Sequence, residues 1–226
     1  MTKKELYIFD FDGLLVDTER VYREGWRATF DKTGLDMPDS ELEGWVGKSI
    51  DYTSARVAEL FGDPGLYQRL YALREEYVYG VIADGGVRAK PGAVEALTAV
   101  HEAGIPIAVV SSSLRKRVEA IASKLGILGL IDFIVASEDV ERRKPDPEPY
   151  QKALDNFACP ASAAIAFEDS LTGRSAAAAA GIDVWLVPDK SSPAFEVPEG
   201  VNHADDLGIV LELLGLERKE GCREDA

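Results

Sequence analysis

A chain of 226 residues is long for one compact domain and short for two large ones, so a core carrying one insertion is expected. An apolar fraction of 46%, with three Trp, eight Tyr and eight Phe, is enough for a true core and excludes a disordered chain. A formal charge of −15 excludes a binder of nucleic-acid backbones, which needs clustered Lys and Arg, and reads as a solvated acidic surface.

No apolar stretch approaches the ~18 residues of a membrane span, and no signal-peptide pattern precedes the first strand. Cys159 and Cys222 show no metal-ligand spacing, so reduced thiols in a cytoplasmic protein are expected. No heptad seam is present, which makes a monomer the expectation.

The first element lies in "ELYIFDFDGLLVDTE", residues 5–19. Leu6, Tyr7, Ile8 and Phe9 read as a buried strand that ends on two acids, Asp10 and Asp12. Acids at the end of a core strand are costly unless something answers them. Residues 16–88 then change character. Tyr22, Trp26, Thr29 and Phe30 form one helical stripe, and Leu66, Leu70, Leu73 and Tyr77 another, with no convincing strand between. An α-helical cap spliced into a core is expected there. "GGVRAKPG" (85–92) is the return hinge, because its glycines permit unusual backbone angles.

From residue 90 onward strands and helices alternate. "IPIAVVS" (105–111) reads as a strand and Arg115–Leu125 as a helix, with Val118, Ile121 and Leu125 at helical spacing. "IDFIVAS" (131–137) and the helix Pro147–Phe157 follow. "AAIAFED" (163–169) precedes an alanine-rich helix stopped by Gly181, and "IDVWLVP" (182–188) closes the series. Buried strands separated by helices imply an α/β fold with a doubly wound parallel sheet. The expected organisation is a discontinuous core over residues 1–15 and 89–216, a helical cap over 16–88, and a frayed charged tail over 217–226.

In such a sheet, ligands sit beyond the carboxyl ends of the strands. Asp10 and Asp12 end one strand, Ser111, Ser112 and Ser113 another, and Glu168 with Asp169 a third. Lys144 precedes Pro145, which favours an extended backbone at the lysine, and Asp146–Pro147 starts the next helix. Singly, each residue is an ordinary turn or cap. Together, these carboxylates, a lysine and a serine at one sheet edge point to a catalytic site. Carboxylates this crowded need a cation. An all-oxygen set suits Mg²⁺, and the two histidines, His101 and His203, stand apart. Lys144 and Ser111 would then meet phosphate oxygens. Phosphoryl transfer needs this combination of positioning and charge neutralisation, although the residues alone leave open which acid attacks.

"DFDGLLVDTE", "VVSSS", "KPDPEPY" and "FEDSLTG" resemble, in order, the four motifs of the haloacid dehalogenase superfamily. With "VGKS" in the cap, they are most similar to its small sugar-phosphate and nucleoside-monophosphate phosphatases, a subgroup that includes β-phosphoglucomutase. The resemblance implies a Rossmann-like core and a Mg²⁺-dependent phosphatase of small phosphorylated metabolites. By it, Asp10 is the nucleophile that forms an aspartyl-phosphate, and Asp12 is the general acid and base. Ser111, Ser112 and Lys144 hold phosphate. Asp10, the Asp12 carbonyl and Asp169 bind Mg²⁺, with Glu168 at or near it. Substrate choice falls to the cap, with Glu19, Tyr22, Trp26, Trp45 and Lys48 as candidates.

The alternative is a sugar phosphomutase. The related mutase has a histidine where this chain has Tyr22, and a cap-loop arginine near a place held here by Ile50 and Asp51; both differences favour hydrolysis. A non-catalytic cation-binding module is a third reading, disfavoured because cation binding alone has no use for Lys144.

Overall fold

The computed structural model describes residues 4–45, 50–189 and 197–217. Lys48, Cys222 and the tail from residue 218 onward therefore lie outside the described residues. Among the described residues, 4–16, 89–189 and 197–217 form one compact unit, and 17–45 with 50–88 form another.

The first unit is built on a five-stranded parallel sheet: β1 (Leu6–Phe9), β2 (Ile107–Val110), β3 (Phe133–Val135), β4 (Ala164–Glu168) and β5 (Asp183–Leu186), in the order β3-β2-β1-β4-β5. Every residue of β1, β2 and β4 is buried, as both faces of a parallel sheet must be. The helices of this unit are α5 (Ala93–Glu102), α6 (Arg115–Lys124), α7 (Glu148–Asn156), α8 (Leu171–Ala179) and the short α9 (Ile209–Leu213).

Alternation along the strands sends Leu6, Ile8, Ala108, Val110, Ala164 and Ala166 to one face. There they join Tyr150 and Ala153 of α7 and Ala176 and Ala177 of α8 in one core cluster. Small side chains on both sides let α8 lie close to the sheet. On the opposite face Tyr7, Phe9 and Phe167 stack, with ring centroids 6.0 and 5.0 Å apart, and α5 packs against β2 and α9.

The strands are shorter than the apolar runs suggest. The run 131–137 contributes only Phe133–Val135, and its last residue begins a 3-10 turn, Ser137–Asp139. Helix α5, buried along one face, and the terminal α9 were not marked by the sequence patterns above.

The second unit contains α1 (Thr18–Thr33), α2 (Asp39–Glu43), α3 (Ile50–Phe61) and α4 (Leu66–Ala83). Trp26, Phe30, Leu42, Trp45, Val57, Tyr67 and Leu70 form its core. The stripe expected on α4 needs correction: its buried line is Tyr67, Leu70, Arg74, Val78 and Ile82, while Leu66, Leu73 and Tyr77 are half-buried. The cause is Arg74, a charged residue at the centre of the buried line. Its guanidinium carbon lies 4.8, 5.3 and 4.7 Å from the ring centroids of Tyr22, Trp26 and Tyr71, and it pairs with Glu75.

Candidate active site

The chain passes from β1 to β2 and β3 on one side, then returns to β4 and β5 on the other. Such a reversal opens a crevice at the carboxyl ends of the two strands that flank it, here β1 and β4. Their register pairs Phe9 with Phe167, so Asp10 follows β1 directly beside Glu168, the last residue of β4. The Asp10 amide donates to the Phe167 carbonyl at 3.0 Å, which fixes the backbone at the first acid.

Lys144 spans this crevice. Its ammonium donates to Asp10 Oδ1 at 2.5 Å, Glu168 Oε1 at 2.6 Å and the Val110 carbonyl at 2.9 Å. All three N–H bonds are thereby used, and the side chain is 7% exposed. The turn that carries it is pinned by local contacts. Glu148 accepts the backbone N–H groups of Glu141 and Arg142, and Asp146 accepts that of Glu148. Asp146 thus supports the start of α7 as its place before Pro147 implies.

Asp12 is half-buried, and its Oδ2 accepts the Ser111 hydroxyl at 2.9 Å. Ser111 Oγ also accepts the Ser113 amide at 2.9 Å. Ser112, expected with Ser111 at the phosphate, is exposed. Glu19 and Tyr22 sit half-buried on α1, and Trp26 and Trp45 belong to the core of the helical unit.

Asp10, Glu168 and Asp169 each offer an oxygen, and the three atoms lie within 4.8 Å of one another. Two glycines leave room for these groups. A Cβ on Gly13, whose φ is +86°, would sit 2.1 Å from Asp169 Oδ2; one on Gly173 would sit 2.0 Å from both oxygens of Glu168. The glycines of "DGLL" and "SLTG" thus place no side chain where the carboxylates lie. An all-oxygen triplet of this kind fits Mg²⁺, and nothing in it favours a softer ion.

Burial pushes the Asp10 carboxyl well above the usual carboxylate range; Lys144 opposes this, while Glu168 and Asp12 add to it. Burial alone would lower the Lys144 ammonium, but Asp10 and Glu168 outweigh it and hold the group well above its ordinary value. A bound cation would relieve the same crowding of negative charge.

One member of the cluster went unread in the sequence. Tyr150 is fully buried on α7, and its hydroxyl donates to Glu168 Oε1. The available signal was its place in "KPDPEPY", because a buried tyrosine requires a partner for its hydroxyl.

Comparison with known proteins identifies the family. The haloacid dehalogenase-like hydrolase family matches residues 7–187. Validoxylamine A 7'-phosphate phosphatase from Streptomyces hygroscopicus subsp. limoneus is 32% identical over 180 residues, covering 77% of this chain and 81% of that protein. A β-phosphoglucomutase from Mycobacterium bovis is 27% identical over 236 residues, covering 92% and 90%. Among solved structures, CbbY from Rhodobacter sphaeroides in complex with phosphate superposes with a TM-score of 0.78 at 26% identity, covering 94% of this chain and all of that one. With the parallel sheet, the motif order and a match over most of its length, the chain belongs to the haloacid dehalogenase-like hydrolases.

Proposed function

We propose that the protein is a Mg²⁺-dependent phosphatase that hydrolyses a small phosphorylated metabolite through an aspartyl-phosphate on Asp10. The observation that carries this reading is the contact of Lys144 with both Asp10 and Glu168. That contact puts a cationic side chain beside the candidate nucleophile. Kinship to a phosphatase named for validoxylamine A 7'-phosphate supports a small phosphorylated metabolite as substrate.

In this reading an Asp10 carboxylate oxygen attacks phosphorus in line with the ester oxygen. The P–O ester bond breaks as the new one forms, and Asp12 donates its proton to the departing oxygen. Asp12 then takes a proton from water as that water attacks the phosphorus of the acyl phosphate, releasing inorganic phosphate and restoring Asp10. The Ser111 hydroxyl, bonded to Asp12, orients that acid. Lys144 can turn from its carboxylate partners to a phosphate oxygen and hold the transferring group. Asp10, Glu168 and Asp169 would hold Mg²⁺, which supplies positive charge against the phosphate oxygens.

The test uses a panel of sugar, polyol and nucleotide phosphates, with and without EDTA. Stoichiometric release of inorganic phosphate, lost on chelation and restored by Mg²⁺, is expected. Acid quenching during turnover of a ³²P-labelled ester should leave label on the wild-type protein and none on Asp10→Asn. Isomerisation of β-glucose 1-phosphate with little phosphate released, and activation by glucose 1,6-bisphosphate, would instead make the protein a mutase.

A further inference from the structure

Tyr150 carries a hydroxyl that its packing does not require. The ring fills space in the core cluster beside β1, β2 and β4, and a phenylalanine would fill the same space. Burying the hydroxyl costs free energy unless it is paired, and its partner is a carboxylate of the candidate cation triplet.

Glu168 is held from several sides. Its side chain is 0% exposed. Among the described residues, Oε1 takes two donors, Lys144 and Tyr150, whereas Oε2 receives a long contact of 3.4 Å from Ser170. The missing side chain at Gly173 makes the seat beneath it.

The two donors on Oε1 differ in kind. Lys144 is a flexible chain whose other bonds go to Asp10 and Val110, so engaging phosphate means releasing one of its acceptors. Tyr150 is a rigid ring on a helix and has no such competing demand. It is also neutral, so it orients the carboxylate without cancelling the negative charge that a cation would use. An arginine there would do the first and forfeit the second.

Resting on the phosphatase reading above, we infer that Tyr150 is the positioning residue for Glu168: its hydroxyl fixes the carboxylate toward the divalent cation and keeps it there when Lys144 turns to phosphate. Tyr150 acts through Glu168 and touches neither substrate nor the reacting atoms.

The test is calorimetric titration of the full chain with MgCl₂ alone, for wild type, Tyr150→Phe, Glu168→Gln and the double variant. Far-UV circular dichroism and the thermal midpoint in EDTA report the fold. Removing a group that orients a metal ligand costs about 10–100-fold in metal affinity, and a loss of that size is expected for Tyr150→Phe. In the Glu168→Gln background the same change should add less than about 2-fold, because the interaction is already altered. Tyr150→Leu serves as a second hydroxyl-free variant if Tyr150→Phe fails to fold, and must show the same loss. Mg²⁺ affinity of the hydroxyl-free variant within about 2-fold of wild type would overturn the inference alone. So would an equal loss in both backgrounds, the mark of packing rather than orientation. A wild type that does not bind Mg²⁺ would overturn the metal reading as well.

Discussion

Lys144 at the sheet edge and Arg74 in the helical unit are both cations withdrawn from water, with side chains 7% and 10% exposed. Their surroundings differ in kind. Lys144 meets three oxygens from β1, β2 and β4 or the residues that follow them. Arg74 meets the faces of three aromatic rings from α1 and α4, with Glu75 beside it, and its buried Nε has no hydrogen-bond partner among the described residues. An oxygen partner can be exchanged for a ligand oxygen at little cost. Ring faces offer no such exchange, because the contact depends on the shape of the whole cluster. The first arrangement suits a working part, and the second holds helices together.

The largest effect on this contrast should come from the sheet edge. Asp12→Asn removes the proposed proton donor while keeping the side chain's shape. Turnover of an alkyl phosphate should fall ~10²–10⁴-fold, and that of p-nitrophenyl phosphate less, since its leaving group needs little protonation. Equal losses on the two esters would take proton transfer away from Asp12.

Lys144→Met keeps the length of the side chain and removes its charge and donors. Loss of one preorganised donor to the transferring group lowers kcat/KM ~10²–10³-fold, measured with saturating Mg²⁺ on the same aryl ester. A variant that kept wild-type kcat/KM would make Lys144 a structural cation like Arg74 and erase the comparison.

Arg74→Leu should show the opposite pattern. Its desolvated contacts with the rings are worth roughly 2 kcal/mol, so urea unfolding followed by tryptophan fluorescence should show a loss of that order, with Mg²⁺ affinity unchanged. Unaltered stability together with a raised KM would mean that Arg74 serves a ligand, and the contrast would collapse from the other side.

The smallest effect concerns the turn that presents Lys144. The Glu141 amide, then the Arg142 amide and side chain, outweigh burial and lower the Glu148 carboxyl from 4.5 to about 2. A carboxylate lowered by folding stabilises the folded state fully above its unfolded value, and that contribution is lost as pH falls through the folded value. The gap in thermal midpoint between wild type and Glu148→Gln should therefore be widest above pH 4.5 and close as pH approaches 2. A gap constant across that range would show that the carboxylate's charge has no part in holding the turn.

Much of the sheet unit was legible because its strands are short apolar runs and its polar groups arrive at the ends of those runs. Asp10, Ser111 and Glu168 declare themselves by interrupting buried segments, and Lys144 by the proline that follows it. The helical unit was harder to read. Periodicity counts arginine as polar, so a guanidinium accommodated among aromatic rings shifted the buried line of α4 away from Leu73 and Tyr77. Tyr150 escaped for a related reason: an aromatic at helical spacing looks like plain core until its hydroxyl is seen to meet a carboxylate.

The sequence by itself determined the kinds of element, the acids at the strand ends, and the stiff turn that presents a lysine. These are local, set by side-chain polarity and by what proline and glycine allow the backbone to do. Only the tertiary structure decided that β1 lies between β2 and β4, and so that Lys144 meets Asp10 across 134 residues of chain. Strand order and register are chosen by packing among distant segments, and no single segment contains that information. The meeting of Tyr150, Lys144 and Glu168 at one carboxylate oxygen depends on it entirely.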